Sequence, residues 1–212
     1  MDRVSSSKSE TVNMLEYARA QVQKEGNAVL AVADQLDESF IEVVQRVRRV
    51  VGKLFVTGSG TSSAVARRMA HLLSVSGTPA LFIHSMDALH GTMGSVEPND
   101  LVIAISKGGE SDEVNQFVQL VHDKGTEIIA LTENPSGTLA SLADTVAILH
   151  SPDDADPGNL LAMGSTLMAA AWGDALARTL MYVGDWDLRD SVKMHPAGAV
   201  GKAARSGAAS DE

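Results

Sequence analysis

An α/β protein with a mainly parallel five-stranded sheet, helices on both faces and extra N-terminal helices is predicted for this 212-residue chain by three observations. Short apolar runs alternate with helical patterns from Lys53 onward, two of those runs open into loops of glycine and hydroxyl residues, and Gly or Pro marks most junctions. Such alternation buries parallel strands between two helical layers, as a three-layer α/β/α sandwich.

Taken in order, Val12, Leu15, Ala18 and Val22 recur at helical spacing, and so do Phe40, Ile41, Val44 and Val47. These two amphipathic helices form an N-terminal helical arm, residues 1–52, packed on the domain or on a partner subunit. The main domain, 53–202, then reads as strand 54–58, helix 62–76, strand 80–84, strand 101–105, helix 111–124, strand 127–132, helix 137–143, strand 145–149 and helix 163–182. Gly77-Thr-Pro79 ends the first of these helices, Glu97-Pro-Asn99 makes a turn, Lys124-Gly125 closes the next helix, and Asn134-Pro-Ser-Gly137 starts a short one. A compact helix from Trp186 to Lys193 leads to a segment rich in Pro and Gly around His195, and 203–212 reads as a flexible tail.

Composition narrows the function. A hydrophobic content of 44% is enough for a full core. No apolar run approaches twenty residues and Met1 to Glu10 is polar, so neither a membrane partner nor a signal peptide is expected and the default location is cytoplasmic. A formal charge of -10 argues against nucleic acid, whose phosphates require clustered Lys and Arg. The basic cluster Arg46-Val-Arg-Arg49 with Lys53 reads as one solvated helix face. With no cysteine there is no disulfide and no thiolate nucleophile or metal ligand.

The two small-residue loops carry the chemistry. Gly58-Ser-Gly-Thr-Ser-Ser63 and Ser106-Lys-Gly-Gly-Glu-Ser111 each join an apolar strand to a helix start, where free N–H groups and hydroxyls hold an anion. Ser63 stands where a dinucleotide fingerprint needs its third glycine, and no Gly-Lys-Ser/Thr ending is present, so the anion is a phosphate without a nucleotide cofactor. The phosphate-binding candidates are Gly58, Ser59, Gly60, Thr61, Ser62, Ser106, Lys107, Gly108 and Ser111, with Ser165 and Thr166 at the start of the last long helix. Lys107 is the cation within the loops.

These loops, together with Gly77-Thr-Pro79, His90-Gly-Thr-Met-Gly94, Gly173-Asp-Ala-Leu176 and His195-Pro-Ala-Gly-Ala-Val-Gly201, stand in an order and spacing that resembles the SIS (sugar isomerase) domain family. Within that family the resemblance is to the isomerase domain of the arabinose 5-phosphate isomerases, here without the CBS modules that often follow. It implies a phosphosugar substrate, aldose–ketose isomerisation through an enediol, no cofactor or metal, and a homo-oligomer, dimer or tetramer, with shared active sites. Three departures stand out: Thr61 replaces a lysine, Gly108 a serine, and Asp154 a glutamate. They leave open another phosphosugar isomerase, such as a 6-phospho-3-hexuloisomerase, or a non-catalytic phosphosugar sensor.

An enediol route needs a base beside the carbonyl and an acid for its oxygen. Glu110, at the C-terminal edge of a strand, reads either as that base or as a carboxylate favoured by a helix N-terminus, and the resemblance selects the base. By the same resemblance His195 assists ring opening or proton transfer, reaching in from another subunit, and His90 is placed in a comparable loop. Asp153, Asp154 and Asp156 read as a solvated turn flanked by Pro152 and Pro157 rather than a metal loop. Only Asp154 is retained from it, as a second acid–base candidate.

Overall fold

The computed structural model describes residues 2–198. The last residues of the His195 motif, 199–201, and the tail 203–212 lie outside the described residues. Five strands, β1 (Leu54–Gly58), β2 (Ala80–Phe82), β3 (Leu101–Ile105), β4 (Glu127–Thr132) and β5 (Thr145–Ile148), pair in parallel in the order β2-β1-β3-β4-β5. Strands β1 and β3 are buried along their whole length, as strands covered on both faces must be.

Alternate strand residues feed two cores. Leu54, Val56, Leu101, Ile103 and Ile105 pack with the helices α2 (Glu38–Arg49), α3 (Gly60–Val75) and α7 (Gly164–Val183), joined by Ala28 of α1 (Asp2–Leu30). Phe55, Val102, Ala104, Ile128 and Ala130 face α4 (Ser85–Leu89), α5 (Asp112–His122) and α6 (Thr138–Leu142). In α7, Met168, Ala169, Trp172, Gly173, Leu176, Ala177 and Leu180 are buried at steps of three and one, the spacing of one helix face. Gly173 lets α3 come close, since a Cβ there would sit 2.6 Å from Met69 Cε.

Several sequence expectations need adjustment. The second N-terminal helix is less an arm than a part of the core: Phe40, Val43, Val44 and Val47 are buried, and Phe40 meets Trp172 edge-on at 5.6 Å. In α1, by contrast, Val12, Met14, Leu15, Tyr17 and Val22 are exposed. The strand expected at 80–84 stops at Phe82, because His84 caps α4 by accepting from Met86 N. Helix α4 has only five residues, too few to show a period, and no sequence signal announces it.

The basic cluster is also not one solvated face. Arg46 pairs with Glu42 at 2.7 Å and with Glu127 on β4, while Lys53 precedes β1 and pairs with buried Asp100 at 2.9 Å. Asp100 further accepts from Lys53 N at 2.6 Å and Glu97 N at 2.8 Å, tying together the segments that lead into β1 and β3. Burial pushes its carboxyl up, but these bonds outweigh burial and hold it below the usual range.

Candidate active site

The strand order places the two loops side by side. From β1 the chain steps outward to β2 and then returns to the other side of β1 as β3, so a crevice opens between the C-terminal ends of β1 and β3. Gly58 and Ile105 are register partners, and the first and second loops leave from them. A Cβ at Gly58 would lie 2.9 Å from the Ser62 backbone and 3.1 Å from Ile105 O, so only glycine lets the loop turn this tightly. Gly60 opens α3 in the left-handed region at φ +53.

In the first loop, the N–H groups of Gly60, Thr61 and Ser62 have no acceptor among the described residues, as expected of a helix first turn. Ser59 does not cap that turn with its side chain; its hydroxyl donates to Glu113 of α5. That bond is the main cause of the lowered Glu113 pKa. Ser62 lines the cleft described below.

The second loop is fastened from behind. The carbonyl of Lys107 accepts from Glu133 N at 2.9 Å and Thr132 Oγ1 at 3.0 Å, that of Gly108 from Asn134 Nδ2 at 3.2 Å, and that of Gly109 from Leu139 N at 3.0 Å. With the carbonyls turned toward β4 and α6, the N–H groups of Lys107, Gly108 and Ser111 are left without an acceptor among the described residues. Free loop N–H groups of this kind are donors suited to a phosphate. Ser106 and Ser111 bring their hydroxyl oxygens within 3.3 Å of each other.

The acid–base candidates are less concentrated. Glu110 is exposed and accepts from Thr138 Oγ1 at 2.7 Å and Thr138 N at 2.9 Å. The Thr138 hydroxyl first, then its N–H, keeps the carboxyl below its ordinary range, so Glu110 is an ionised carboxylate at neutral pH. His90 is exposed at the C-terminal end of α4, just before Gly91. His195 follows α8 (Leu188–Lys193); its Nδ1 lies 2.8 Å from Ser191 O, so Nδ1 carries the proton and Nε2 is the basic nitrogen. Its ring packs edge-on against His71 at 6.4 Å. His71 is eleven residues beyond Gly60 on α3, roughly 16 Å along the axis, so His195 does not join the two loops within one chain.

The acidic turn departs most from the sequence reading. Asp154 is exposed and pairs with Lys24 of α1 at 3.5 Å. Asp156, expected in a solvated turn, is instead buried and accepts from Lys107 Nζ at 2.7 Å, Ser165 Oγ at 2.5 Å, Met163 N at 2.8 Å and Ser165 N at 3.1 Å. Burial raises its pKa, yet these bonds outweigh burial and hold it at about 2. Lys107 is therefore an ion-paired lysine rather than a free loop cation. Ser165 spends its donors on Asp156, and Thr166 gives its hydroxyl to Ala162 O at 2.9 Å. No helix-cap spacing marks Asp156, eight residues ahead of α7, so its contact with Lys107 has no sequence signal.

Glu133, just beyond the end of β4, belongs to no motif and is absent from the sequence expectations. It lines a cleft of about 30 Å³ together with Ser62, Lys107, Thr132, Ser165 and Thr166. Among the described residues, no group of three or more His, Asp or Glu is arranged to hold a metal ion, and no helix is long and apolar enough to cross a membrane.

Comparison with known proteins agrees with this geometry. The SIS domain profile matches residues 49–173. The chain belongs to the SIS domain family. The SIS match contains both loops, Glu110, Glu133 and Asp156, and ends before His195. The arabinose 5-phosphate isomerase KpsF of Escherichia coli is 35% identical over 190 residues, 89% of this chain and 60% of that protein. The arabinose 5-phosphate isomerase KdsD of Yersinia pestis is 33% identical over 183 residues, 86% of this chain and 55% of that protein. The chain thus spans little more than half the length of these curated relatives. Among solved SIS-like structures, Escherichia coli CFT073 c3406 in complex with arabinose 5-phosphate superposes with a TM-score of 0.83 at 27% identity, covering 87% of this chain and 98% of that one.

Proposed function

We propose that this SIS domain binds a phosphorylated sugar of the arabinose 5-phosphate class and interconverts its aldose and ketose forms through an enediol. The observation that supports the reading is the pair of loops that leave the register partners Gly58 and Ile105 at the β1/β3 switch point, each with N–H groups that have no acceptor among the described residues and so suit a phosphate. The names of the relatives and the sugar-phosphate complex of the structural neighbour support the same substrate class.

Gly58 to Ser62 and Ser106 to Ser111 hold the phosphate through backbone N–H and hydroxyl groups. Glu110, ionised and at the loop's end, serves as the base that takes the proton beside the carbonyl. His195 Nε2, together with His90, handles the carbonyl or ring oxygen, and His195 comes from a neighbouring subunit of a dimer or tetramer. The separation of His195 from its own loops and the exposed apolar side chains of α1 support that assembly. A charged substrate that does not cross membranes supports a cytoplasmic location.

A non-catalytic sensor is favoured by a different observation: Glu110 is already bonded to Thr138 and Lys107 to Asp156. Solvent deuterium uptake beside the carbonyl, followed by NMR on pentose and hexose phosphates, decides between them. Uptake with a pentose phosphate is the expected result; uptake with a hexulose 6-phosphate alone points to a hexuloisomerase, and binding without uptake to a sensor.

A further inference from the structure

We propose that the space between Lys107 and Glu133 is a specificity slot for one hydroxyl group of the sugar chain and not a seat for its phosphate. The proposal rests on the phosphosugar reading above. Lys107 gives one N–H to Asp156 Oδ2 at 2.7 Å and another to Asn159 Oδ1 at 2.6 Å, which leaves one of its three donors for the cleft. Glu133 is pinned on two sides: its N–H donates to Lys107 O at 2.9 Å, and its Oε1 accepts from Ser151 N at 3.2 Å. Its other oxygen, Oε2, lies 4.0 Å from Lys107 Nζ.

A separation of 4.0 Å is too long for a direct hydrogen bond. It suits one bridging oxygen, placed about 2.8 Å from both groups. A hydroxyl fits this place because it accepts from the lysine and donates to the carboxylate at once. A phosphate oxygen has no proton for Glu133 and faces two carboxylates, Asp156 and Glu133, against one lysine. The cleft that Lys107 and Glu133 line is roomy enough to admit a water-sized group. Nor is Lys107 free to swing toward a phosphate, since leaving would strand a buried Asp156. The phosphate is thereby assigned to the loop N–H groups, and the sugar chain runs from them toward β4.

Calorimetric binding of arabinose 5-phosphate, its monodeoxy analogues and inorganic phosphate to the full chain and to Glu133→Ala tests the slot. Glu133→Ala should weaken arabinose 5-phosphate about 10- to 100-fold, the range for a hydrogen bond to a charged group, without weakening inorganic phosphate. One monodeoxy analogue should bind the full chain weakly and lose nothing further in the variant. Glu133→Gln, which keeps the side chain's size, should repeat the pattern at smaller amplitude, and it serves if the alanine variant does not fold. Additive losses for every analogue, or inorganic phosphate weakened by the same factor as the sugar, overturn the slot while leaving the phosphosugar reading intact. A full chain that binds inorganic phosphate but no phosphosugar overturns both.

Discussion

Asp156 shows how much one side chain does here. It joins the second loop to the start of α7 through Lys107, Ser165 and Met163, and its pKa of about 2 lies below the ordinary 3.8. A depressed folded-state pKa stabilises the fold above the unfolded value and loses that contribution as pH falls through the folded one. Asp156→Asn should therefore cost about 2 kcal/mol at pH 7, with the gap to the parent narrowing below pH 4 and closing near pH 2, as read from urea unfolding across pH. Glu110 gives a second residue-scale expectation. Glu110→Gln should lower turnover about 10²- to 10⁴-fold. Thr138→Val removes the hydroxyl that most depresses the Glu110 pKa, so the acid limb of the kcat/KM profile should move to higher pH. An acid limb unmoved by Thr138→Val would show that Glu110 is not the group titrating.

At the scale of elements, the site depends on how close α3 comes to β1 and β3. Gly58→Ala places a methyl group 2.9 Å from the Ser62 backbone, so the first turn of α3 must move and its N–H groups lose their aim. The substitution should destabilise the protein by about 1–3 kcal/mol and weaken inorganic phosphate in the same calorimetric titration. The second loop is more tolerant at Gly108, where a Cβ meets nothing within 4 Å. Gly108→Ser should leave thermal stability unchanged, and a melting midpoint that falls sharply would contradict this reading of the loop. Strands β1 and β3 are legible in the sequence as unbroken apolar runs that open into glycine loops, and α7 as a long helix whose buried residues repeat. Helix α4 and the Pro157–Asn159 turn are not, because so few residues carry no period.

For the whole molecule the question is where His195 acts. Its ring rests on His71, far along α3 from the loops of its own chain, while Glu110 stands beside them. Glu110→Gln and His195→Ala should each be nearly inactive alone, and refolding the two together should restore part of the activity through sites that combine an intact Glu110 with an intact His195 from the neighbour. Simple mixing of assembled oligomers at low temperature should not. Continued inactivity after verified co-assembly would place both residues in one chain or remove one of them from the chemistry.

Sequence alone determined the alternation of strands and helices, the two glycine-rich loops and the family, because those features are local: periodicity, turn chemistry and short motifs are written in neighbouring residues. Lys107 stands out in the sequence as the loop cation, but its partner does not, and neither does the place of Glu133. Asp156 is 49 residues from Lys107 and Glu133 is 26, and only the packing of β4 and the 156–165 segment against β3 brings the three charges together. Tertiary structure decided which carboxylate of the acidic turn is buried, whether the loop lysine is free, and on which side of the molecule His195 lies. Each of these depends on which chain segments pack together and which groups lose water, quantities that no short window of sequence contains.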